Sequence, residues 1–556
     1  MNWLEKNGLT YKGVKFPAAF GKEGLAGVIA TEVIPPFTEI CDLPCRLLLS
    51  LDFVRGGELK GIFEKNSELF YHDKEADSLC FSVHFLRMMI KGDSFWKDYI
   101  NRMLSQDIEL CCQWSNDLLE EFQDPILKLN IKGYGKEIEK HWKSISGILA
   151  KHPDKFPKDK WNRTIYMKIY KYVATHAFSG SMPCTMILPF AECFNHENYC
   201  PIYLDFYLKS KGKPAVTEEK YDPNLNLKDV LKEKQVWELP NDPDSEYEAS
   251  ESEKEEEEKE EDEDEDDKPS LTTKINSKYK WWNPKNDDIH YFMRTGAKAI
   301  PANSQVYYSY GTRSNSELLT TFGFLLIPNR QDNLKIVLWN NLSPWHNLKG
   351  CLNSLLVGEG MAAKIVADYK EGLFDVEDPV YKDTELASKI ITLCWTRIPS
   401  RTLMSYIRKH QMAQFKGKDA DKIMMLAPVI IEFEIECLEI AIQILLLKKK
   451  TWKTSIEEDL VRLKETKEGN KWRWQNCIYY RIGQKKLLEF HIEVYGLLIE
   501  ILKNINNPEY KYKEAYMKQV EKCEKEEEVV ANRLILRSYL QKLAQSRKLL
   551  LNIPYQ

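Results

Sequence analysis

The chain has 556 residues, of which 43% are hydrophobic and 29% are charged, and its formal net charge is −5. A chain of this length is divided into two or three domains, and its hydrophobic content is sufficient for packed cores. The first residues, MNWLEKNG, lack the apolar run of a signal peptide, and the apolar stretch at 437–447 is too short to cross a bilayer. We therefore expect a globular intracellular protein, located in the cytoplasm or also in the nucleus.

The cysteines indicate reduced thiols. There are 13 of them, without a compact disulfide framework or paired C-x-x-C knuckles. Cys41 and Cys45 come nearest to metal-ligand spacing. We expect these cysteines to be small core residues and expect no metal site.

Apolar patterns change along the chain. Short apolar runs at 28–50, interrupted by prolines, predict strands and tight turns. From about 80 to 178, apolar residues recur every three or four positions, which predicts helices. Strand patterns return in TMILPFAECF, PIYLDFYL and IHYFMRTGAKAIPANSQVYYSYG. After about residue 335, long amphipathic stretches predict helices to the end.

The predicted fold class is therefore α+β. Residues 1–80 and 181–330 form a β-rich domain, and residues 81–180 form a helical insert within it. An all-helical domain covers residues 335–556.

An acidic tract lies within the β-rich domain, in the region of about 240–270. Its central part, DSEYEASESEKEEEEKEEDEDEDD at 244–267, carries a charge of −15, so the rest of the chain carries about +10. Such a run cannot bury enough surface to offset its ordering entropy. We expect a solvated, disordered loop, although contact with a basic surface or a basic partner is an alternative.

The chain lacks the common motifs for nucleotide binding, zinc proteolysis and serine hydrolysis, which are GxxxxGK[ST], GxGxxG after a strand, HExxH and GxSxG. Three other segments could carry chemistry. GKEGLAGVIATEVI at 21–34 contains glycines that permit close approach of a ligand to the backbone. LPFAECFNHENYC at 188–200 ends a strand in an Asn-His pair, and QVYYSYGTRSNSELLTTFGF at 305–324 joins a tyrosine-rich strand to a helix.

In this order, and with a helical insert between the first two, the segments resemble the SET-domain protein methyltransferases. The resemblance is closer to the branch that contains the Rubisco large-subunit lysine methyltransferase and the actin-histidine methyltransferase. TSIEEDLVRL at 454–463 and YYRIGQKKLLEF at 479–490 are similar to segments of that branch's helical substrate-binding domain. The resemblance covers nearly the whole chain.

The resemblance implies S-adenosylmethionine as the cofactor and roles for particular residues. Tyr310 matches the tyrosine where the methyl-transfer channel joins the cofactor and target pockets, so it is the expected catalytic residue. The resemblance also implies that seven residues contact the cofactor. These are Glu23, Leu25, His176, Glu192, Asn195, His196 and Tyr310. Positions near 24, 195 and 310 are therefore expected to converge. Tyr307, Tyr308 and Phe322 are candidates for channel walls, although core packing is the favoured role for each.

The sequence departs from the family pattern at several positions. EGLAG is one residue longer than the expected E-G-[LF]-G, and Glu192 replaces an aspartate. His176 stands where the family has an arginine that contacts the cofactor. Ala177 stands where the histidine-methylating relatives have an asparagine that binds the target imidazole.

These observations favour a protein methyltransferase that acts on a lysine of another protein, with a histidine acceptor less favoured. The helical domain is expected to grip the protein substrate. The departures support an alternative, a catalytically inactive SET-like scaffold or a subunit of a larger assembly. Nucleic-acid binding ranks last because no motif supports it, and no membrane partner is expected. The target protein, the degree of methylation and the oligomeric state are left open.

Overall fold

The computed structural model describes residues 1–20, 25–93, 95–179, 184–198, 202–208, 289–296, 298–329, 331–339, 356–357, 388–395, 401–412, 431–465, 471–504 and 507. The chain forms two compact units. The first comprises Met1–Gln106 and Asp159–Gly311, and the second comprises Asp107–Lys158 and Thr312–Gln556. The acidic tract at 244–267 lies outside the described residues.

The helices are, in chain order, α1 (Asn2–Lys6), α2 (Leu51–Gly56), α3 (Lys60–Lys65), α4 (Ser67–Phe70), α5 (Ala76–Lys91), α6 (Lys97–Ser105), α7 (Asn116–Glu120), α8 (Pro125–Ala150), α9 (Arg163–His176), α10 (Asn315–Phe322), α11 (Arg401–Met412), α12 (Ile431–Lys449), α13 (Ile456–Arg462) and α14 (Lys471–Lys503). Side chains cap several of them. The Asn162 amide oxygen accepts a hydrogen bond from the backbone of Ile165 and so starts α9.

The strands are β1 (Thr10–Tyr11), β2 (Val14–Phe20), β3 (Leu25–Ala30), β4 (Glu39–Pro44), β5 (Leu49–Ser50), β6 (Met186–Ile187), β7 (Asn195–His196), β8 (Ile202–Leu208), β9 (Ile289–Thr295), β10 (Gln305–Tyr308), β11 (Asn333–Trp339) and β12 (Ser388–Cys394). Mixed helices and strands confirm the predicted α+β class.

The first unit contains the strands β1 to β10. One sheet has the order β1-β4-β9-β8, a second has the order β2-β3-β10-β7, and β5 pairs with β6. β4 lies between two partners and is buried along most of its length, whereas β2 alternates between exposed positions and positions that are buried or partly buried. The strands share one hydrophobic core, which includes Val28, Ile40, Phe194, Tyr291 and Val306.

The second unit is mainly helical but also contains a two-stranded antiparallel sheet. β11 and β12 pair over seven positions, from Asn333 with Cys394 to Trp339 with Ser388. Leu334, Ile336 and Leu338 are buried in the same core as α12 and α14. These buried residues alternate with a period of two, which places them on one face of a β-sheet. The helix predicted after residue 335 is therefore wrong for this segment.

The compact units also divide the helical region differently from the sequence boundaries. α7 and α8 group with the C-terminal residues, although the sequence analysis places them in the insert at 81–180. The reason is visible in their packing. Leu119, Phe122 and Ile131 share a core with Cys477 and Tyr480 of α14.

Among the described residues, no helix combines the length and hydrophobicity needed to span a membrane. The described part of the chain also contains no group of three or more His, Cys, Asp and Glu side chains arranged to hold a metal ion.

Candidate active site

The three chemistry-bearing segments meet in one sheet of the first unit. β10 pairs antiparallel with β3 on one side, with Gln305 opposite Ile29 and Val306 opposite Val28. It pairs parallel with β7 on the other side, with Tyr307 opposite Asn195. Segments separated by about 170 and 110 positions along the chain are therefore immediate neighbours. The expectation for these positions concerns residues near 24, 195 and 310; β3 begins at Leu25, and position 24 itself lies outside the described residues.

Tyr310 is attached to β7 by two hydrogen bonds. Its backbone N–H donates to Nδ1 of His196 at 3.0 Å, and its hydroxyl donates to the Phe194 carbonyl at 2.9 Å. The rings of Tyr310 and His196 stack with centroids 4.8 Å apart. Gly311 follows with φ of 95°, a left-handed conformation that favours glycine. The turn therefore fixes both the backbone and the ring of Tyr310.

The protonation states in this pair follow from the hydrogen bonds. Because Nδ1 of His196 accepts from Tyr310, Nε2 carries the proton and donates to Oδ1 of Asn198 at 3.0 Å. Burial raises the pKa of the Tyr310 hydroxyl, and the neighbouring Cys193 and Glu192 act in the same direction. Tyr310 therefore remains a neutral phenol at neutral pH and keeps oxygen lone pairs that can face a ligand.

Two amide side chains lie against Gly27 of β3. Asn195 donates from Nδ2 to the Ala26 carbonyl at 3.1 Å. A Cβ atom at position 27 would lie 2.6 Å from Nδ2 of Asn195 and 2.7 Å from Nε2 of Gln305. Glycine is therefore required here for close approach. Nε2 of Gln305 is buried and has no hydrogen-bond partner among the described residues.

The N-terminal cofactor residues are described only in part. Leu25 starts β3 opposite Phe20, and its side chain is 61% exposed. An exposed leucine at the start of the strand is available to contact a ligand through its backbone or side chain. Glu23 lies outside the described residues, so its role remains a prediction.

His176 is the last residue of α9, and its side chain is uncharged. Its Nδ1 lies 3.0 Å from the Tyr172 carbonyl, and its ring stacks on that of Tyr172 with centroids 4.1 Å apart. Burial lowers its pKa to about 4, and the charge of Arg102 acts in the same direction. His176 is therefore uncharged at neutral pH.

Glu192 lies in a buried polar cluster. The Tyr172 hydroxyl donates to its Oε1 at 2.6 Å, and the Tyr99 hydroxyl donates to its Oε2 at 2.7 Å. Arg102 lies 3.7 Å from Oε1. Burial raises the pKa of Glu192, while Arg102 and the two tyrosines oppose that rise. The carboxyl group thus ties α6 and α9 to the turn that precedes Asn195.

Aromatic rings accompany Tyr310 on one side. The ring of Tyr308 lies 6.1 Å from that of Tyr310 and 5.3 Å from that of Phe178. Tyr307 is half-buried, and burial raises its pKa.

Sequence reasoning did not identify Gln305, Arg102 or Tyr172 as part of this site. Their contacts depend on partners far away in the chain, and no local pattern marks them.

The two C-terminal motifs are also joined in space. Asp459, from TSIEEDLVRL, accepts hydrogen bonds from Arg481 and Lys485, from YYRIGQKKLLEF, at 2.6 to 2.9 Å. Thr454 donates to the same carboxylate at 2.8 Å. The side chains of Asp459, Arg481 and Lys485 are nearly fully buried, so the two motifs form one buried ionic network in the second unit.

Fold and site together define a class: a SET-type α+β domain that holds a strand-end Asn-His pair against a tyrosine turn, with a helical C-terminal region. Residues 376–488 match the family of Rubisco LSMT substrate-binding domains. The chain is 23% identical to the actin-histidine N-methyltransferases of Mus musculus, over 497 residues, and Homo sapiens, over 500 residues. Both alignments cover 88% of this chain but only 66% of the relative.

Solved structures show the same fold. The crystal structure of the SET domain of LSMT bound to lysine and AdoHcy matches with a TM-score of 0.53, at 15% identity, covering 90% of this chain and 91% of that chain. The structure of Rubisco LSMT bound to AdoMet matches with a TM-score of 0.51, at 15% identity and with the same coverage. The resemblance stated from the sequence is thus confirmed: the chain has the Rubisco LSMT fold and is similar in sequence to the actin-histidine methyltransferases.

Proposed function

We propose that this chain is an S-adenosylmethionine-dependent protein methyltransferase whose acceptor is a lysine side chain of a protein substrate. The observation that carries the proposal is the attachment of Tyr310 to His196 and to the Phe194 carbonyl, beside Asn195 and β3. The likeness to Rubisco LSMT structures with bound AdoMet or AdoHcy supports the same cofactor. The match at 376–488 supports a protein substrate.

The residues at the site fit a polar cofactor. The buried amide of Gln305 has an unsatisfied donor beside the Asn195 amide, and Gly27 leaves room for close approach. Amides can pair with the hydroxyl, carboxylate and ring-nitrogen groups of the cofactor. Asn195, Gln305 and the backbone of Leu25 would hold it. When bound, S-adenosylmethionine supplies a methyl group on a positive sulfur, so that an acceptor lone pair forms the C–N bond as the C–S electrons return to sulfur.

The protein's task is then to align and deprotonate the acceptor. A lysine has a solution pKa of about 10.4 and must lose its proton before it can attack. The aromatic surroundings formed by Tyr308, Tyr310 and Phe178 disfavour an ammonium ion by desolvation, which lowers the acceptor's pKa. The neutral Tyr310 oxygen stabilises the electron-poor methyl group, and alignment supplies much of the remaining rate.

Lysine is favoured over histidine because of Ala177. This residue follows the end of α9 and has no polar side-chain group. The asparagine expected from the histidine-methylating relatives would hydrogen-bond an imidazole, and alanine cannot. A flexible lysine chain needs no such partner to enter an aromatic channel.

The test is a comparison of Tyr310→Phe with Tyr11→Phe. Loss of a positioned hydroxyl should slow methyl transfer to the protein substrate by about tenfold or more, while S-adenosylmethionine affinity stays nearly unchanged. Tyr11 bonds only the side chain of Glu5 at the surface among the described contacts, so its variant should retain full rate. An unchanged rate in Tyr310→Phe would remove this residue from the mechanism.

One observation favours the alternative of a non-catalytic scaffold: the neutral His176 in the position of an expected arginine. Isothermal titration with S-adenosylmethionine separates the two functions. The methyltransferase should bind the cofactor at micromolar concentration, about −8 kcal/mol. Absence of binding at millimolar cofactor would leave the scaffold as the function.

A further inference from the structure

The cofactor proposed above carries a carboxylate, and His176 provides no positive charge to bind it. Its pKa lies near 4, and its Nδ1 already contacts the Tyr172 carbonyl. A carboxylate that leaves water for a partly buried site needs a cation or several donors, because an unpaired charge is costly there. A cation for this carboxylate would therefore come from another position in the first unit.

Arg102 of α6 lies beside the turn that contains Glu192 and Cys193 and precedes Asn195. Its Nη2 donates to Sγ of Cys193 at 3.2 Å, and its guanidinium carbon lies 5.1 Å from the centre of the Phe16 ring. Cys193 is two residues before Asn195 and next to Phe194, whose carbonyl binds Tyr310. Arg102 therefore contacts the turn that leads directly into the proposed cofactor residues.

The guanidinium also has unused capacity. It offers five N–H donors, and among the described residues only the Cys193 sulfur accepts a hydrogen bond from it. Oε1 of Glu192 forms an ion pair with Nη1 of Arg102 at 3.7 Å but accepts no hydrogen bond from it, and the hydroxyls of Tyr99 and Tyr172 donate to the two oxygens of Glu192. The Arg102 side chain is 31% exposed, whereas that of Glu192 is fully buried.

We propose that Arg102 binds the carboxylate of the cofactor's methionine portion, in place of the arginine that His176 replaces. The inference rests on the proposed function. An arginine can present two parallel N–H donors to a carboxylate, and such charge-assisted pairs are stronger than neutral hydrogen bonds. The cation–π contact of the guanidinium with the Phe16 ring and its hydrogen bond to the Cys193 sulfur hold the Arg102 side chain in place before the ligand binds.

The experiment uses two ligands that differ in the carboxylate. S-adenosylhomocysteine carries it, and 5′-methylthioadenosine lacks it. Isothermal titration of the full chain should show that Arg102→Gln weakens S-adenosylhomocysteine binding by about 10- to 100-fold, the range for a charged hydrogen bond. Binding of methylthioadenosine should stay within about twofold of the wild-type value. Lys97→Gln, which removes an exposed charge from the same helix, should leave both affinities unchanged.

A structural role for Arg102 would give a different pattern. Equal weakening of both ligands by Arg102→Gln, or no weakening of either, overturns the inference. Near-ultraviolet circular dichroism shows whether Arg102→Gln is folded. If it is not, Arg102→Lys retains the charge and should still weaken the binding of S-adenosylhomocysteine alone, by a smaller factor. Weakening of both ligands by Arg102→Lys would again overturn it. Failure of the wild-type chain to bind either ligand would instead refute the proposed function itself.

Discussion

Removal of the Asp459 carboxylate should destabilise the second unit strongly. Arg481 donates to Oδ1 from Nε at 2.9 Å and from Nη2 at 2.6 Å, and Lys485 donates to Oδ2 at 2.6 Å. The side chains of Asp459 and Arg481 are fully buried, and that of Lys485 is 4% exposed. Asp459→Ala would leave both cations without this partner. Breaking a buried pair in this way costs about 3–5 kcal/mol, so we expect a loss in that range.

Urea denaturation followed by tryptophan fluorescence measures this loss. The control is Glu489→Gln, which removes an ion pair to Lys449 whose partners are 38% and 50% exposed. An exposed pair contributes about 1 kcal/mol or less. If Asp459→Ala lowers the unfolding free energy no more than Glu489→Gln does, the buried network has no structural role.

Two further predictions concern the amide pair and a buried acid. Gly27→Ala should displace the Asn195 and Gln305 amides, at a cost of about 1–3 kcal/mol, and should weaken S-adenosylmethionine binding measured by titration. Gly61→Ala, where nothing lies within 4 Å, should preserve both stability and binding; equal behaviour of the two variants would contradict the close approach at Gly27. Burial raises the pKa of Asp332 to about 7 despite its hydrogen bonds to Asn315 and Gln484. Its contribution to stability is therefore full below about pH 4 and is lost as the pH rises to about 7. The difference in unfolding free energy between wild type and Asp332→Asn should change over that interval, and a constant difference would refute the shifted pKa.

Much of the fold follows from local patterns in the sequence. The three- and four-residue spacing of apolar side chains marks α5, α8 and α9, and the prolines mark the early turns. The pairing of β11 with β12 was not predicted, because one strand alone gives a short apolar run that fits a helix or a strand equally well. Its partner is about 50 residues away, and only the pairing distinguishes the two.

The candidate site was predictable where a residue belongs to a short motif. Tyr310, Asn195 and His196 all do; the pairing of β10 with β7 and the hydrogen bond from Tyr310 to His196 bring them together. Gln305 begins the tyrosine-rich segment but lies outside the matched tyrosine turn, and Arg102 belongs to none of the three segments. Arg102 meets Cys193 across 91 positions of the chain, and such a contact depends on how α6 packs rather than on its own sequence. Local spacing predicts which face of a helix is buried but not which distant turn it contacts.

His176 and Glu192 are linked through Tyr172. A neutral His176 stacks on Tyr172, whose hydroxyl then binds Glu192. Because a glutamate side chain is one methylene longer than an aspartate, its carboxyl reaches tyrosines on two helices and is satisfied without a direct hydrogen bond from an arginine. The two tyrosine hydrogen bonds offset part of the cost of burying this carboxyl, which keeps the turn before Asn195 in place. Arg102 then donates only to the Cys193 sulfur among the described residues, which leaves donors for the carboxylate that we propose it binds.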